Sequence, residues 1–311
     1  MEGGNLKIST FEIVVNGLVF NAIRAISEAG IANPGRQVVL CMHGFPDNNR
    51  TFDKQMHPLA DAGFEVISLQ MRGYQPESQP KDKDYYVKTI VEDVIGWLDY
   101  LSLDKVHILS HDWGAVIATA AVIAAPERFH SLITMGLVPV PRMRITLLTS
   151  PWQQKRSWYM FLFQLRGLVE FLLRKNDWRL LRRLFAYWSP TYAFPAPMLQ
   201  NMLSVLSQPG VLKAGLSYYR ALFDLVTFKG RSSWALGKGP VNVPTLVLGG
   251  ALDGSMYARD FDYKRKHRDF PGGINVEVLD NVGHWLHQEA PEIVNHHILT
   301  FLKQFSGPTT T

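Results

Sequence analysis

The sequence has a single cysteine, Cys41, among its 311 residues, and it lacks a long apolar run. One cysteine excludes an internal disulfide framework and is typical of a reducing compartment. No run approaches the about 20 consecutive apolar residues that a membrane-spanning helix needs. The first residues, MEGGNLKIST, lack the basic segment and apolar core of a secretion signal. These absences predict a cytoplasmic protein.

Acidic residues are scarce in one part of the chain. Between Pro141 and Pro190, ten Arg and Lys residues face only Glu170 and Asp177, so this segment carries +8 in a chain of net charge +5. A solvated surface, in which long basic side chains cover apolar helices, is one interpretation. Because no nucleic-acid-binding motif accompanies the charge, we expect no nucleic-acid partner. The third interpretation is peripheral membrane contact, since WYMFLFQLRGLVEFLLRK mixes aromatics with arginine as interfacial helices do.

Short β-rich apolar runs alternate with helical stretches over most of the chain. The predicted strands include QVVLCM, FEVISL, KVHILSH, HSLITM, VPTLVLGG and INVEVL, and the helices include YYVKTIVEDVIGWLDYL and PEIVNHHILTFLKQF. Such alternation predicts an α/β fold with a mostly parallel, twisted sheet and helices on both of its faces. Ahead of it, Asn16-Gly17 between two alternating runs predicts a β-hairpin.

This alternation is interrupted between residues 139 and 240. The segment is rich in Trp, Tyr, Phe and Arg, and it contains no convincing strand pattern. Because the strand pattern resumes afterwards, the segment is predicted to be an insertion. We therefore expect a core of residues 1–138 and 241–311 with an inserted helical cap of residues 139–240.

The residues Ser110-His111-Asp112-Trp113-Gly114 join a predicted strand to a predicted helix. A nucleophile on such a sharp turn needs small neighbours two positions before and after it, and Ser110 and Gly114 meet that need. Asp112 occupies the nucleophile position. A carboxylate is already nucleophilic at neutral pH, whereas a serine hydroxyl needs a base. The alternative is that Asp112 only caps the helix, since Asp is a favoured N-cap residue.

Two partners of a nucleophile are expected downstream, an acid and then a histidine. Asp253 follows the predicted strand TLVLGG, and His284 follows the next one in the loop DNVGHW. His287 is the competing histidine, although it is predicted to begin the following helix. After the strand VVLC, the loop HGFP brings the amide of Phe45 near that of Trp113, and these two amides are the predicted oxyanion hole.

With HGFP, RGY, HDWGA, the Asp253 loop and GHW in this order, the chain resembles the epoxide hydrolase branch of the α/β-hydrolases from Phe11 to about Phe305. The resemblance implies hydrolysis of small lipophilic epoxides to vicinal diols. Asp112 would form an alkyl-enzyme ester, which water activated by His284 would hydrolyse. It implies neither a metal ion nor an organic cofactor. Trp113 and Phe45 would also contact the substrate.

The resemblance further implies two cap tyrosines that hydrogen-bond the epoxide oxygen. One of them precedes an arginine, as in SYYRALF, and this points to Tyr219 rather than Tyr218. The other precedes an aromatic segment such as MFLFQ, and this points to Tyr159, with Tyr187 and Tyr192 as further cap tyrosines. A protonated phenol can donate to the oxygen that becomes negative as the ring opens.

Two other functions stay open at the level of sequence. Haloalkane dehalogenases belong to the same branch and use the same Asp-His-Asp triad. They hold the halide with N–H donors, and Phe45 stands where one group of them has an asparagine. The other alternative is a catalytically silent binding protein of the same fold, which the complete triad disfavours.

Overall fold

The computed structural model describes residues 6–33, 35–262 and 264–305. In these residues eight strands form one sheet, in the order β1-β2-β4-β3-β5-β6-β7-β8. The strands are β1 (Leu6–Val15), β2 (Leu18–Ser27), β3 (Val38–Met42), β4 (Glu65–Leu69), β5 (Val106–His111), β6 (Phe129–Met135), β7 (Thr245–Gly250) and β8 (Ile274–Leu279). The ends of the predicted core, residues 1–5 and 306–311, lie outside the described residues.

The sheet is antiparallel at one edge and parallel elsewhere. The pairs β1–β2 and β2–β4 are antiparallel, and every pair from β4–β3 to β7–β8 is parallel. Asn16 and Gly17 adopt φ of 53° and 73°, the left-handed conformation that a two-residue hairpin turn requires. Both the predicted hairpin and the mostly parallel sheet are therefore confirmed.

Helices cover both faces of the sheet. Before the predicted cap segment they are α1 (Glu28–Ala32), α2 (Asp53–Asp61), α3 (Val87–Tyr100) and α4 (Trp113–Ala124). Between β6 and β7 they are α5 (Val140–Thr149), α6 (Pro151–Arg156), α7 (Trp158–Leu162), α8 (Leu168–Trp188), α9 (Ala196–Ser207), α10 (Val211–Leu222) and α11 (Phe228–Leu236). The last four are α12 (Ala258–Phe261), α13 (Lys266–Asp269), α14 (Leu286–Glu289) and α15 (Pro291–Leu302).

Two apolar clusters lie on opposite faces of the sheet, because side chains alternate along each strand. In β3, Leu40 belongs to the cluster shared with α3, α4 and the helices between β6 and β7. Its neighbour Cys41 belongs to the cluster shared with α2 and α15. At the carboxyl end of β5, Asp112 shares a cavity with residues of α5, α7 and α10.

A buried ion pair connects the loop after β4 to helix α3. The guanidinium of Arg72 donates to both carboxylate oxygens of Asp93, at 2.6 and 2.8 Å, and both side chains are buried. The backbone carbonyl of Arg72 accepts a hydrogen bond of 2.7 Å from the hydroxyl of Tyr218 in α10. The RGY motif therefore joins the sheet, α3 and α10 at one point.

We predict that Asp93→Ala lowers the free energy of unfolding by about 3–5 kcal/mol, because it leaves the Arg72 guanidinium buried without its carboxylate. Asp99→Ala is the matched control on the same helix, since Asp99 pairs with Arg128 at the surface. Its cost is expected to be about 0–1 kcal/mol. Urea unfolding of both variants measures the difference, and equal costs would contradict this account of the RGY motif.

Candidate active site

Asp112 lies at a sharp turn between β5 and α4. Its backbone has φ 51° and ψ −120°, and its side chain makes no capping hydrogen bond to the helix. A Cβ on Gly114 would meet the backbone of Met42 and His43, and a Cβ on Gly44 would lie 2.6 Å from that of Asp112. Ser110 fits because its hydroxyl turns away and donates to the Ile133 carbonyl at 2.8 Å. The turn presents a carboxylate that is not engaged as a helix cap.

The two oxygens of the Asp112 carboxylate have different surroundings. The amide of Phe45 donates to Oδ1 at 2.8 Å. Oδ2 lies 3.7 Å from Nε2 of His284. The Phe45 loop is itself held by His43, whose Nε2 accepts a bond of 3.0 Å from the Met71 amide. One carboxylate oxygen is thus fixed by a backbone donor while the other faces the imidazole.

His284 and Asp253 form a buried hydrogen-bonded pair. Nδ1 of His284 lies 2.8 Å from Oδ2 of Asp253, and both side chains are almost completely buried. The other oxygen of Asp253 accepts from the amide and the hydroxyl of Ser255, each at 2.7 Å. Ser255 therefore fixes the carboxylate through a short turn, and it is a residue that the sequence prediction missed.

Two carboxylates set the charge of His284. Burial acts to lower the pKa of His284, but the charge of Asp253 and the contact with Asp112 outweigh burial and raise it to about 10. Burial also acts to raise the pKa of Asp112, yet its interaction with His284 holds that pKa below the ordinary value. The raised pKa of His284 and the lowered pKa of Asp112 both favour an imidazolium between two carboxylates at neutral pH.

Two tyrosines from the helices above the sheet share a cavity with Asp112. Tyr159 and Tyr219 line it with Asp112 and Trp113, and their ring centroids are 6.2 Å apart. Burial and the negative charge of Asp112 raise the pKa of both hydroxyls well above the ordinary value, so both stay protonated. The remaining lining is mainly apolar, and it includes Val116, Leu137, Met143, Leu147, Met160, Leu222 and Met256.

The neighbouring tyrosines of α10 have different surroundings. Tyr218 donates its hydroxyl to the backbone of Arg72, whereas Tyr219 lies in the cavity and packs its ring 5.1 Å from that of Trp113. Of the alternatives to Tyr159, Tyr187 is exposed at the surface, and the hydroxyl of Tyr192 contacts Met198. The geometry therefore brings Tyr159 and Tyr219 into one cavity with Asp112.

Phe45 and Trp113 meet the site in different ways. Trp113 lines the cavity with its side chain. Phe45 contributes its backbone amide to Asp112, while its ring packs against Tyr219 and Phe163, each with centroids 5.5 Å apart. The side chain of Phe45 thus supports Tyr219.

Two residues of α6 and Ser189, which follows α8, hold the loops that carry Asp253 and His284. The sequence did not predict these contacts. Arg156 donates to the backbone carbonyl of Asp253 at 2.5 Å, and Gln153 donates to that of Ser255 at 2.6 Å. The hydroxyl of Ser189 accepts from the amide of His284 at 2.9 Å. Because each of these bonds involves a backbone atom, the sequence carries no local signal for them.

A second group of buried polar side chains lies behind His284. The part of the chain that the structure describes contains one group of three His, Cys, Asp or Glu residues whose potential metal-ligand atoms all lie within 4.8 Å of one another. Its members are Asp47, His111 and His287. Asp47 accepts from the indole of Trp285 at 3.0 Å, and Nε2 of His111 lies 3.0 Å from the carbonyl of His284. These bonds support the His284 loop.

Comparisons with known proteins identify relatives over nearly the whole chain. The sequence model of the α/β hydrolase fold matches residues 37–291. The AB hydrolase superfamily protein YfhM of Bacillus subtilis is 30% identical over 277 residues, which cover 88% of this chain and 93% of that protein. Epoxide hydrolase A of Mycobacterium tuberculosis is 28% identical, with 91% and 95% covered. The crystal structure of epoxide hydrolase A from Mycobacterium thermoresistibile superposes with a TM-score of 0.79 at 25% identity, with 96% and 98% covered.

The charge of His284 is predicted to depend on Asp112. An adjacent anion favours the imidazolium, so Asp112→Asn should lower the His284 pKa by about 1–3. Histidine NMR titration measures this change. The control is Asp104→Asn, which alters an aspartate in the loop between α3 and β5, away from His284. An unchanged His284 pKa in Asp112→Asn would show that the two side chains are not coupled.

Proposed function

This chain belongs to the α/β-hydrolase family, and on that premise we propose that it hydrolyses epoxides to vicinal diols through an ester on Asp112. The observation that carries the proposal is the pairing of Asp112 with two cavity tyrosines, since Tyr159 and Tyr219 face the same space as the carboxylate. Support also comes from relatives that are named epoxide hydrolases and align along nearly their whole length.

In the first half of the reaction, the Asp112 oxygen that is not held by Phe45 attacks an epoxide carbon. The carbon–oxygen bond of the ring breaks, and the leaving oxygen stays on the substrate as an alkoxide. Tyr159 and Tyr219 hydrogen-bond this oxygen and one of them supplies its proton, because an alkoxide is more basic than a phenolate. Their raised pKa ensures that both tyrosines hold a proton before the substrate binds.

In the second half, water hydrolyses the ester. Forming the ester removes the negative charge of Asp112, so the pKa of His284 falls and its proton replaces the one that the tyrosine gave up. The neutral imidazole, oriented by Asp253, then takes a proton from the attacking water. The amides of Phe45 and Trp113 stabilise the oxyanion on the carbonyl oxygen. Collapse of this intermediate breaks the bond between the carbonyl carbon and the diol oxygen. That oxygen takes the proton of the new carboxyl group, so the diol leaves and the carboxylate of Asp112 is regenerated.

We also propose that residues 139–240 act as a cap on a core of residues 1–138 and 241–311. The cap supplies both tyrosines and most of the apolar lining, which favours small lipophilic epoxides. Through Arg156 and Ser189 it also supports the two loops of the histidine pair. The position of the cap and the geometry of the triad are therefore coupled in this proposal.

The cap also bears on where the protein works. We propose a cytoplasmic protein that contacts membranes peripherally through the basic segment between Pro141 and Pro190, whose net charge is +8. In the described residues, no helix is both long and apolar enough to cross a bilayer. Attraction of the basic segment to anionic lipids would supply such a contact.

The two neighbouring tyrosines provide a matched test of the proposed acid. Tyr219→Phe is expected to slow ester formation by about 100-fold, because one donor to the alkoxide is lost while Tyr159 remains. Tyr218→Phe should leave that rate within a few-fold and lower the free energy of unfolding by about 1 kcal/mol. Stopped-flow measurement with styrene oxide gives both rates. Similar rates in the two variants would contradict the role of Tyr219.

Measuring the products formed from an epoxide and from a haloalkane distinguishes the proposed activity from dehalogenation. Incubation with styrene oxide should give the diol, and incubation with 1-bromobutane should give no halide above a His284→Gln control. That control variant is expected to gain the mass of one styrene oxide, because the ester forms and is not hydrolysed. Halide release by the wild type without diol formation would favour a haloalkane dehalogenase.

A further inference from the structure

Large apolar side chains are exposed on the cap beside the substrate cavity. We call them the apolar ridge. Val226 and Phe228 are 84% and 75% exposed, which is unusual for residues of this size. The ridge comprises Phe161, Leu165, Phe171, Phe223, Val226 and Phe228, all of them exposed. Large exposed apolar side chains that lie together mark sites that contact a lipid or a protein.

The ridge lies next to the cavity that contains Asp112. Phe161 and Phe223 contact each other across the gap between α7 and α10, with ring centroids 5.6 Å apart. Their immediate chain neighbours, Met160 and Leu222, line the cavity. An apolar molecule that leaves the ridge therefore has a short path to the proposed nucleophile.

Basic side chains adjoin the ridge along α8. The ammonium of Lys175 lies 5.5 Å from the ring centroid of Phe171. Lys175, Arg179 and Arg183 line one surface groove, which we call the basic groove. The two acidic residues of this segment are already paired, Glu170 with Arg220 at 2.9 Å and Asp177 with Arg182 at 3.0 Å. The groove therefore presents an excess of positive charge.

We propose that the apolar ridge and the basic groove together form a docking surface for an anionic lipid membrane. Aromatic and aliphatic side chains would enter the boundary of the bilayer, while the basic groove would bind lipid phosphates. A second copy of this chain would bring the same positive charge to the interface and be repelled. The inference rests on the proposed function in one respect, namely that lipophilic epoxides reach the cavity from the bilayer.

Vesicle sedimentation tests the docking surface. The protein should bind phosphatidylcholine vesicles that contain phosphatidylglycerol at low salt, and binding should weaken severalfold at high salt because the phosphates are screened. Val226→Ser/Phe228→Ser should lose binding by about tenfold. The matched control is Ile8→Ser/Ile293→Ser. It removes two exposed apolar side chains that lie outside the cap, and it should bind vesicles as the wild type does.

A second variant tests the charges. Lys175→Glu/Arg179→Glu/Arg183→Glu should abolish the preference for anionic vesicles and leave circular dichroism unchanged, because all three side chains are exposed. Failure of the wild type to sediment at low salt would overturn the proposal. Unchanged binding by the ridge or the charge variant would also overturn it. If size-exclusion chromatography shows that the wild type is a dimer and that only the ridge variant is a monomer, the ridge is instead an interface with a second copy of this chain.

Hydrolysis of a water-soluble epoxide without vesicles separates docking from catalysis. All of these variants should keep wild-type turnover there, since none alters a residue of the cavity. The ridge variant should lose rate only with a long-chain epoxide dissolved in anionic vesicles. Absence of diol from every protein in the vesicle-free assay would count against the proposed function, whereas loss of sedimentation alone counts against the docking surface.

Discussion

The backbone of Asp112, held at φ 51° and ψ −120°, is the constraint on which the rest of the site depends. A conformation of this kind costs about 1–3 kcal/mol and persists only where its surroundings impose it. Here the absence of side chains at Gly44 and Gly114 lets the loop after β3 approach the turn closely. That approach brings the Phe45 amide to the carboxylate at 2.8 Å. The turn thus positions the Asp112 carboxylate and brings the Phe45 amide, the proposed oxyanion donor, into contact with it.

The electrostatics of the site follow from burying three ionisable groups together. Two carboxylates flank His284 and favour its charged form, although burial alone would favour the neutral one. In the proposed cycle, the imidazole becomes a base only after Asp112 has lost its charge by forming the ester. Asp112 acts on the tyrosines in the same direction, because its negative charge and burial together raise the pKa of both hydroxyls and keep their protons in place. The same carboxylate therefore controls when each proton is available.

Local patterns predicted much of this arrangement, and long-range contacts account for the rest. The strand ends that carry Asp112, Asp253 and His284 follow from apolar runs and glycine-rich turns, and Tyr159 and Tyr219 follow from family motifs. The contact between Arg156 and the Asp253 carbonyl joins residues 97 positions apart and leaves no sequence signature. The interruption of α8 at Lys175–Trp178, where three consecutive residues have positive φ, also has no sequence signature.

A single turnover in H₂¹⁸O with enzyme in excess over styrene oxide tests the ester on Asp112 most directly. If Asp112 attacks the epoxide and water attacks the ester carbonyl, the first diol takes its new oxygen from the protein. The diol is then unlabelled, and the peptide that contains Asp112 gains one ¹⁸O. A labelled diol with an unlabelled Asp112 peptide would show that water attacks the epoxide itself, and it would contradict the covalent mechanism.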